Sequence, residues 1–254
     1  MRWDPTQYAR YEAERSRPFF DLLSQVTASS PASVVDLGCG SGELTASLAA
    51  RWPAAEVLGI DSAEEMIERA TRQSGPRLSF RRADAAEFSA IGVDVLVSNA
   101  LLQWVPGHAE LLSRWAGELN PGGWLAFQVP DNFAAPSHAL MRELADSATW
   151  SAKLAGVLRH ADAVHPARDY LFLLKAAGMQ VTAWQTNYLH LLPGDDPVLE
   201  WVRGTGLRPV LAALSEADAA AFQRSYAERL RAAYPRTESG TVFPFLRTFV
   251  VGHK

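Results

Sequence analysis

Val34–Pro53 reads VVDLGCGSGELTASLAARWP. An apolar run containing Asp36 ends at Leu37, and glycines follow at alternate positions, Gly38, Gly40 and Gly42. From Glu43 the apolar spacing becomes helical, and Pro53 marks the stop. A buried strand, a glycine turn and a helix in that order form the repeating half of a parallel sheet. Glycine turns after a strand commonly hold a nucleotide-like ligand, because the absence of Cβ lets the backbone approach it closely.

The rhythm continues outward. EVLGID (56–61), LSFRRAD (78–84), VDVLVSN (93–99) and GWLAFQVP (123–130) read as strands, and HAELLSRWAGEL as a helix. SAEEMIERATRQS reads as a helix opened by a capping box, with Ser62 as N-cap and Glu65 three residues on. Alternation of this kind implies an α/β fold with helices on both faces. Right-handed crossovers then place the strand C-terminal ends along one edge. After residue 130 the pattern changes. SHALMRELADSATWSAKLAGVL reads as helical, ARDYLFLLKAAG as a helix with a glycine stop, and MQVTAWQTNYLHLL (179–192) as a strand. A helical block over about 197–234 and a last strand, TVFPFLRTFVVG, follow. The expectation is one domain over 1–254. Its core covers about 32–130, 167–193 and 241–254, and a helical cap covers 1–30, 131–166 and 194–240.

Composition narrows the function. The chain has 254 residues, a net charge of −4 and a pI near 5.9, which argues against a nucleic-acid-binding face. No apolar run of about 18 residues suggests a membrane span. The charged start MRWDPTQYARYEAERSRPFF lacks the apolar centre of a signal peptide. Cys39 is the one cysteine, so a disulfide framework is excluded, and these features together predict a cytoplasmic protein. Lysine occurs only at 153, 175 and 254. That bias fits either a GC-rich genome or recognition of carboxylates and phosphates by guanidinium forks.

The loop itself selects among ligands. A dinucleotide fingerprint runs G-x-G-x-x-G, but here the third position holds Glu43. A carboxylate in the first helical turn suits the helix dipole and repels a pyrophosphate at the same end. S-adenosylmethionine, a nucleoside joined through a sulfonium to an amino acid, carries no phosphate. Asp36 can sit near its ammonium group. Asp61, 19 residues past Gly42, is placed for the ribose diol, and Asp84 for the adenine amino group. Ser62, Ala85 and Asn99, on or beside the same strand ends, are counted with the cofactor residues. Each acid alone could merely cap a helix or a turn; their order on successive strands carries the reading. The six histidines show no H-E-x-x-H, and one cysteine cannot build a zinc site, so no metal is expected. Cys39 reads as packing rather than as a nucleophile.

DLGCGSG is the motif of class I methyltransferases, and the chain resembles that family. YEAERSRPFFDLL (11–23), GIDSAEEMI (59–67), SNALLQWVPGH (98–108), NPGGWLAFQVPDNF (120–133) and VRGTGLRPVL (202–211) resemble the trans-aconitate methyltransferases in particular, from end to end. The match is weakest over about 145–166. The resemblance implies a Rossmann-like, mostly parallel seven-stranded sheet with an antiparallel C-terminal strand. It also implies S-adenosylmethionine as methyl donor, S-adenosylhomocysteine as product, and a monomethyl ester of trans-aconitate. A carboxylate is ionised at neutral pH, so the transfer needs no general base. It needs the acceptor oxygen about 3 Å from the methyl carbon and in line with the sulfur. No catalytic side chain is therefore assigned.

Arginines should hold the other carboxylates: Arg15 or Arg17, which cannot share one helix face, Arg208 in TGLRP, and Arg247. Any of them could instead be solvated surface. Gln103 and Trp104 follow the fourth strand at the cofactor edge. Tyr188 and His190 share one face of a strand, either lining a pocket or packing the sheet. Trp201 and Tyr226 read as cap packing. The alternatives are methylation of another small acid or natural product, and a non-catalytic S-adenosylmethionine-binding regulator.

Overall fold

The computed structural model describes residues 12–158 and 163–254, with side chains from residue 16 onward. Its elements are α1 (Glu12–Leu23), β1 (Ser33–Leu37), α2 (Glu43–Arg51), β2 (Glu56–Asp61), α3 (Glu64–Ala70), β3 (Leu78–Arg82), β4 (Val95–Asn99), α4 (His108–Glu118), β5 (Trp124–Pro130), α5 (Pro136–Ala145) and α6 (Ser151–Leu154). There follow α7 (Ala167–Ala176), β6 (Gln180–Leu192), α8 (Pro197–Arg203), α9 (Arg208–Ala213), α10 (Glu216–Ala233), β7 (Arg236–Thr237) and β8 (Gly240–His253). The long strands lie in the order β3-β2-β1-β4-β5-β8-β6. The pairs among β1 to β5 are parallel. β8 runs antiparallel to β5, from Trp124↔His253 to Pro130↔Arg247. The sheet is thus mostly parallel with an antiparallel late strand, and the two-residue β7 adds a short pairing to β8 that the sequence pattern does not announce.

The chain forms two compact units. One comprises Ser16–Pro130, Val164–Thr186 and Arg247–Lys254. The other gathers, among the described residues, 12–15, 131–158, 163 and 187–246. β6 and β8 each contribute one end to either unit. In the first unit Val34, Val35, Leu37, Val95, Leu96, Val97, Leu125, Ala126 and Phe127 are buried, as expected for parallel strands covered on both faces. In the second, Trp201, Phe222, Tyr226, Phe243 and Phe245 join Leu and Val side chains in one cluster, with Trp201 edge-on to Phe243 at 5.7 Å between centroids. Trp201 and Tyr226 pack that helical unit, as their sequence context suggests.

Two local expectations need correction. Ser62 does not cap a helix: α3 starts after Ala63 without a side-chain cap, and the Asp61 carboxylate accepts from the Ala63 N–H instead. The helical reading of 137–158 breaks after Ala145, where Ser147 Oγ donates to Leu144 O at 2.7 Å and competes for the last-turn carbonyls. The helical block expected over 197–234 is present, as three helices. Ser215 restarts the chain as N-cap of α10, its hydroxyl accepting from the Asp218 N–H at 3.2 Å. No helix among the described residues is long and apolar enough to cross a membrane.

Candidate active site

The turn after β1 is held from two sides. The Gly38 and Cys39 N–H groups both donate to Ile60 O, at 2.7 and 3.0 Å, which ties the turn to β2. Gly42 starts α2 at φ +89°, and a Cβ there would lie 2.9 Å from the Phe80 ring and 3.0 Å from Ala70 Cα. Only glycine meets both demands. At Gly40, by contrast, a Cβ would meet nothing within 4 Å, so the middle of the turn borders open space.

Asp61 ends β2 with both carboxylate oxygens engaged by backbone: Oδ1 accepts from Ala63 N–H at 2.9 Å and Oδ2 from Gly40 N–H at 3.0 Å. An ionised carboxylate offers about four lone-pair sites, so each oxygen keeps capacity for a hydroxyl donor. Asp36 is 2% exposed, with Thr45 Oγ1 donating to Oδ2 at 2.7 Å. Its Oδ1 has no hydrogen-bond partner among the described residues. Burial pushes its pKa up to about 6 against the lowering effect of Thr45, and the nearby Asp61 charge adds to the rise. Burial also drives the Cys39 thiol upward, helped by Asp36 and Asp61, so Cys39 stays a protonated packing group.

Further along the edge, Asp84 is exposed and accepts from Ala86 N–H at 2.9 Å, with Ala85 buried beside it. Ser62 is exposed, and its carbonyl accepts from Arg82 Nε at 3.2 Å. Asn99 is half-buried at the end of β4. Its Oδ1 accepts from Gln128 Nε2 at 2.5 Å, and Gln128 Oε1 accepts from Arg247 Nη1 at 3.1 Å. Register explains the chain of contacts. Asn99 pairs with Gln128 across β4 and β5, and Arg247 on β8 lies two residues along from Phe249, which faces Gln128. Ala100, just past Asn99, sits at φ +56°, the only positive φ outside glycine among the described residues. Such a conformation costs on the order of 1–2 kcal/mol for a residue with a Cβ. Gln103 is buried and donates to Ala100 O at 2.6 Å, while Trp104 is 46% exposed.

The acceptor-side expectations fall on both units. Arg17 is exposed on α1 and pairs with Asp21 at 3.6 Å. The side chain of Arg15 lies outside the described residues. In the helical unit Tyr188 and His190 share a face of β6, with rings 6.2 Å apart and 8° between planes. His190 also stacks on Trp201 at 4.8 Å. Arg208 is half-buried at the start of α9, with its N–H donating to Thr205 O. Two residues escape sequence reading. Gln128 is 0% exposed inside an apolar strand, and a lone amide in WLAFQVP is the signal that could have found it. Ala100 carries no signal, because nothing in its identity announces a positive φ.

What can this edge hold? A buried carboxylate oxygen without a partner, a second carboxylate with spare capacity, and an acid on α2's first turn repel phosphate and favour a ligand with cationic and hydroxyl groups. The open space at Gly40 admits it. The residues fit S-adenosylmethionine on these counts. No group of three or more metal-ligating side chains occurs among the described residues.

Comparison with known proteins agrees. A family model described as a methyltransferase domain matches residues 34–123. The trans-aconitate 2-methyltransferase of Streptomyces avermitilis is 55% identical over 99% of this chain and 97% of its own length. That of Streptomyces coelicolor is 54% identical, covering 99% of this chain and 86% of its own. Among solved structures, the YcgJ protein from Bacillus subtilis superposes with a TM-score of 0.61 over 94% of this chain and 98% of its own, at 13% identity, a likeness of fold alone.

Proposed function

The chain belongs to the family of trans-aconitate 2-methyltransferases, and on that premise we propose that it transfers a methyl group from S-adenosylmethionine to one carboxylate of trans-aconitate, leaving a monomethyl ester and S-adenosylhomocysteine. The observation that carries the reading within this chain is the acid-lined glycine turn, where Asp61 spans Gly40 and Ala63 beside the buried, half-satisfied Asp36.

Bound S-adenosylmethionine supplies an electrophilic methyl on a sulfonium. The residues proposed to hold it are Gly38, Gly40 and Gly42 by close backbone approach, Asp36 toward the ammonium, Asp61 toward the ribose diol, and Asp84 toward the adenine amino group. Ser62, Ala85 and Asn99 flank these. The ionised acceptor requires no proton removal, so the chain's contribution is position, charge balance and exclusion of water. Arg208 and Arg247 are proposed to balance acceptor carboxylates, with one of Arg15 and Arg17 assisting and Gln103, Trp104, Tyr188 and His190 shaping the surroundings. Segments 1–30, 131–166 and 194–240 are proposed as the cap. The acidic balance and single cysteine support a cytoplasmic enzyme acting on small molecules without nucleic acid.

Incubation with S-adenosylmethionine and a panel of mono-, di- and tricarboxylates, read by mass spectrometry, tests the assignment. Methyl ester should form on trans-aconitate. Turnover at saturating cofactor should rise with substrate ionisation and stay level through neutrality. A descending limb near pH 6.5 would instead implicate a histidine.

A further inference from the structure

We propose that Arg247, Gln128 and Asn99 form a hydrogen-bond relay of fixed polarity that aims the Asn99 amide hydrogens at a ligand carboxylate beyond the end of β4. The inference rests on the reading of the chain as a carboxylate methyltransferase. A guanidinium has donors only and keeps its charge in proteins. Arg247 is 5% exposed, so the Gln128 atom 3.1 Å from its Nη1 must be the carbonyl oxygen. Gln128 is 0% exposed, and with Oε1 committed its Nε2 faces Asn99. The 2.5 Å contact then commits Asn99 Oδ1 as acceptor. What Asn99 has left is Nδ2, a pair of donors at the strand end. Its orientation is set by a charge two side chains away.

The backbone reinforces the aim. The Ala100 N–H donates to Gln128 O at 2.9 Å, and the positive φ of Ala100 turns the chain there. An unfavourable conformation at such a place is retained where the surroundings dictate it. An amide NH2 held in this way donates and cannot accept, so it matches a carboxylate oxygen and nothing cationic. That chemistry occurs in the acceptor and also in the methionine moiety of the cofactor. Gln128 is a positioning residue in this scheme, acting through Asn99, and Arg247 fixes its polarity through Nη1 in addition to the acceptor role proposed above.

Gln128→Glu tests the relay. A glutamate keeps the shape and pairs with Arg247, but it cannot donate. Asn99 must then turn Nδ2 toward Glu and present Oδ1 to the ligand. The melting temperature should hold or rise. By calorimetry, the Kd of S-adenosylhomocysteine, or of trans-aconitate on protein saturated with S-adenosylhomocysteine, should weaken about tenfold to a hundredfold. Loss confined to trans-aconitate identifies the acceptor carboxylate; loss already present for S-adenosylhomocysteine identifies the methionine carboxylate. Gln128→Met, which forces no reversal, should weaken binding less. In an Asn99→Ala background Gln128→Glu should have little further effect. Should Gln128→Glu fail to fold, Asn99→Asp keeps the acceptor for Gln128 and offers the ligand an oxygen, with the same expected loss. Binding of both ligands within twofold of wild type in a folded variant overturns the relay, as does an undiminished effect in the Asn99→Ala background. If the wild type binds S-adenosylhomocysteine but neither binds nor methylates trans-aconitate, the functional reading fails. The S-adenosylhomocysteine arm alone then decides the relay.

Discussion

The sheet-centred unit and the helical unit bury their apolar side chains in different company. In the first, polar groups stand at the ends of strands: backbone N–H groups hold Asp61, from Gly40 and Ala63, and Asp84, from Ala86, while the Gln128 side chain holds Asn99. In the second, Tyr188 and His190 lie among aromatic rings, and Arg208 opens a six-residue helix. Backbone geometry dictates the first arrangement, so it leaves a spaced signature of glycines and acids. Side-chain packing dictates the second, and many combinations of residues satisfy packing equally well. The residues proposed for the cofactor all lie in the first unit, and those proposed for the acceptor are divided between the two.

The severest challenge to this contrast is Asp61→Ala. Two hydroxyl bonds to a carboxylate are worth about 1.5–3 kcal/mol each, and Gly40 also loses its tether. Affinity for S-adenosylhomocysteine should fall at least about a hundredfold by calorimetry. An unchanged Kd would reduce Asp61 to an anchor of the Ala63 turn.

Arg208→Ala sharpens the contrast from the other side. Removing one partner of a desolvated charge pair costs about 2–5 kcal/mol, so KM for trans-aconitate should rise at least tenfold while the Kd of S-adenosylhomocysteine stays put. Arg208→Lys keeps the charge but not the planar fork and should fall between. If KM moves by less than about twofold in a folded protein, Arg208 is surface and acceptor choice lies elsewhere.

Much of this was legible beforehand. The five strands of the parallel half, the glycine turn and the acids on successive strands all follow from period and spacing. The Ser62 capping box was not, because Asp61 lies one residue earlier and reaches the Ala63 N–H itself. Gln128 hid because a strand covered on both faces is read for its apolar run, and the one polar residue in it is passed over. The break after Ala145 depends on a serine hydroxyl choosing a carbonyl over solvent, which composition does not report.

A third expectation concerns pH. Folded Asp36 keeps its proton up to about pH 6, whereas the unfolded chain releases it near 3.8. Between those values the folded state binds more protons, so this group's contribution to stability falls as pH rises and levels off above 6. Its ionised form, which would attract an ammonium, is present only above that value. Cofactor affinity should decline several-fold between pH 7 and 5, and Asp36→Asn should flatten the curve. Calorimetry across that range checks it, and a flat wild-type profile would detach Asp36 from the ligand.

The smallest effect expected is at Ala100. Glycine there relieves the positive φ but loses more chain entropy on folding. Ala100→Gly should therefore stabilise the protein by no more than about 1 kcal/mol, read as a rise in melting temperature. A fall of similar size would show that the conformation is not strained.

The placement of β8 also bears on how the protein comes into being. It inserts between β5 and β6, yet it follows both in the chain. Domains fold in order as the ribosome delivers them, but here residues 240–246 belong to one unit and 247–253 to the other. Neither unit is complete until that strand has emerged. Until then β5 exposes an apolar edge to the crowded cell, where unpaired strand edges seed aggregation. A ribosome stalled after β6 therefore leaves both units unfinished together.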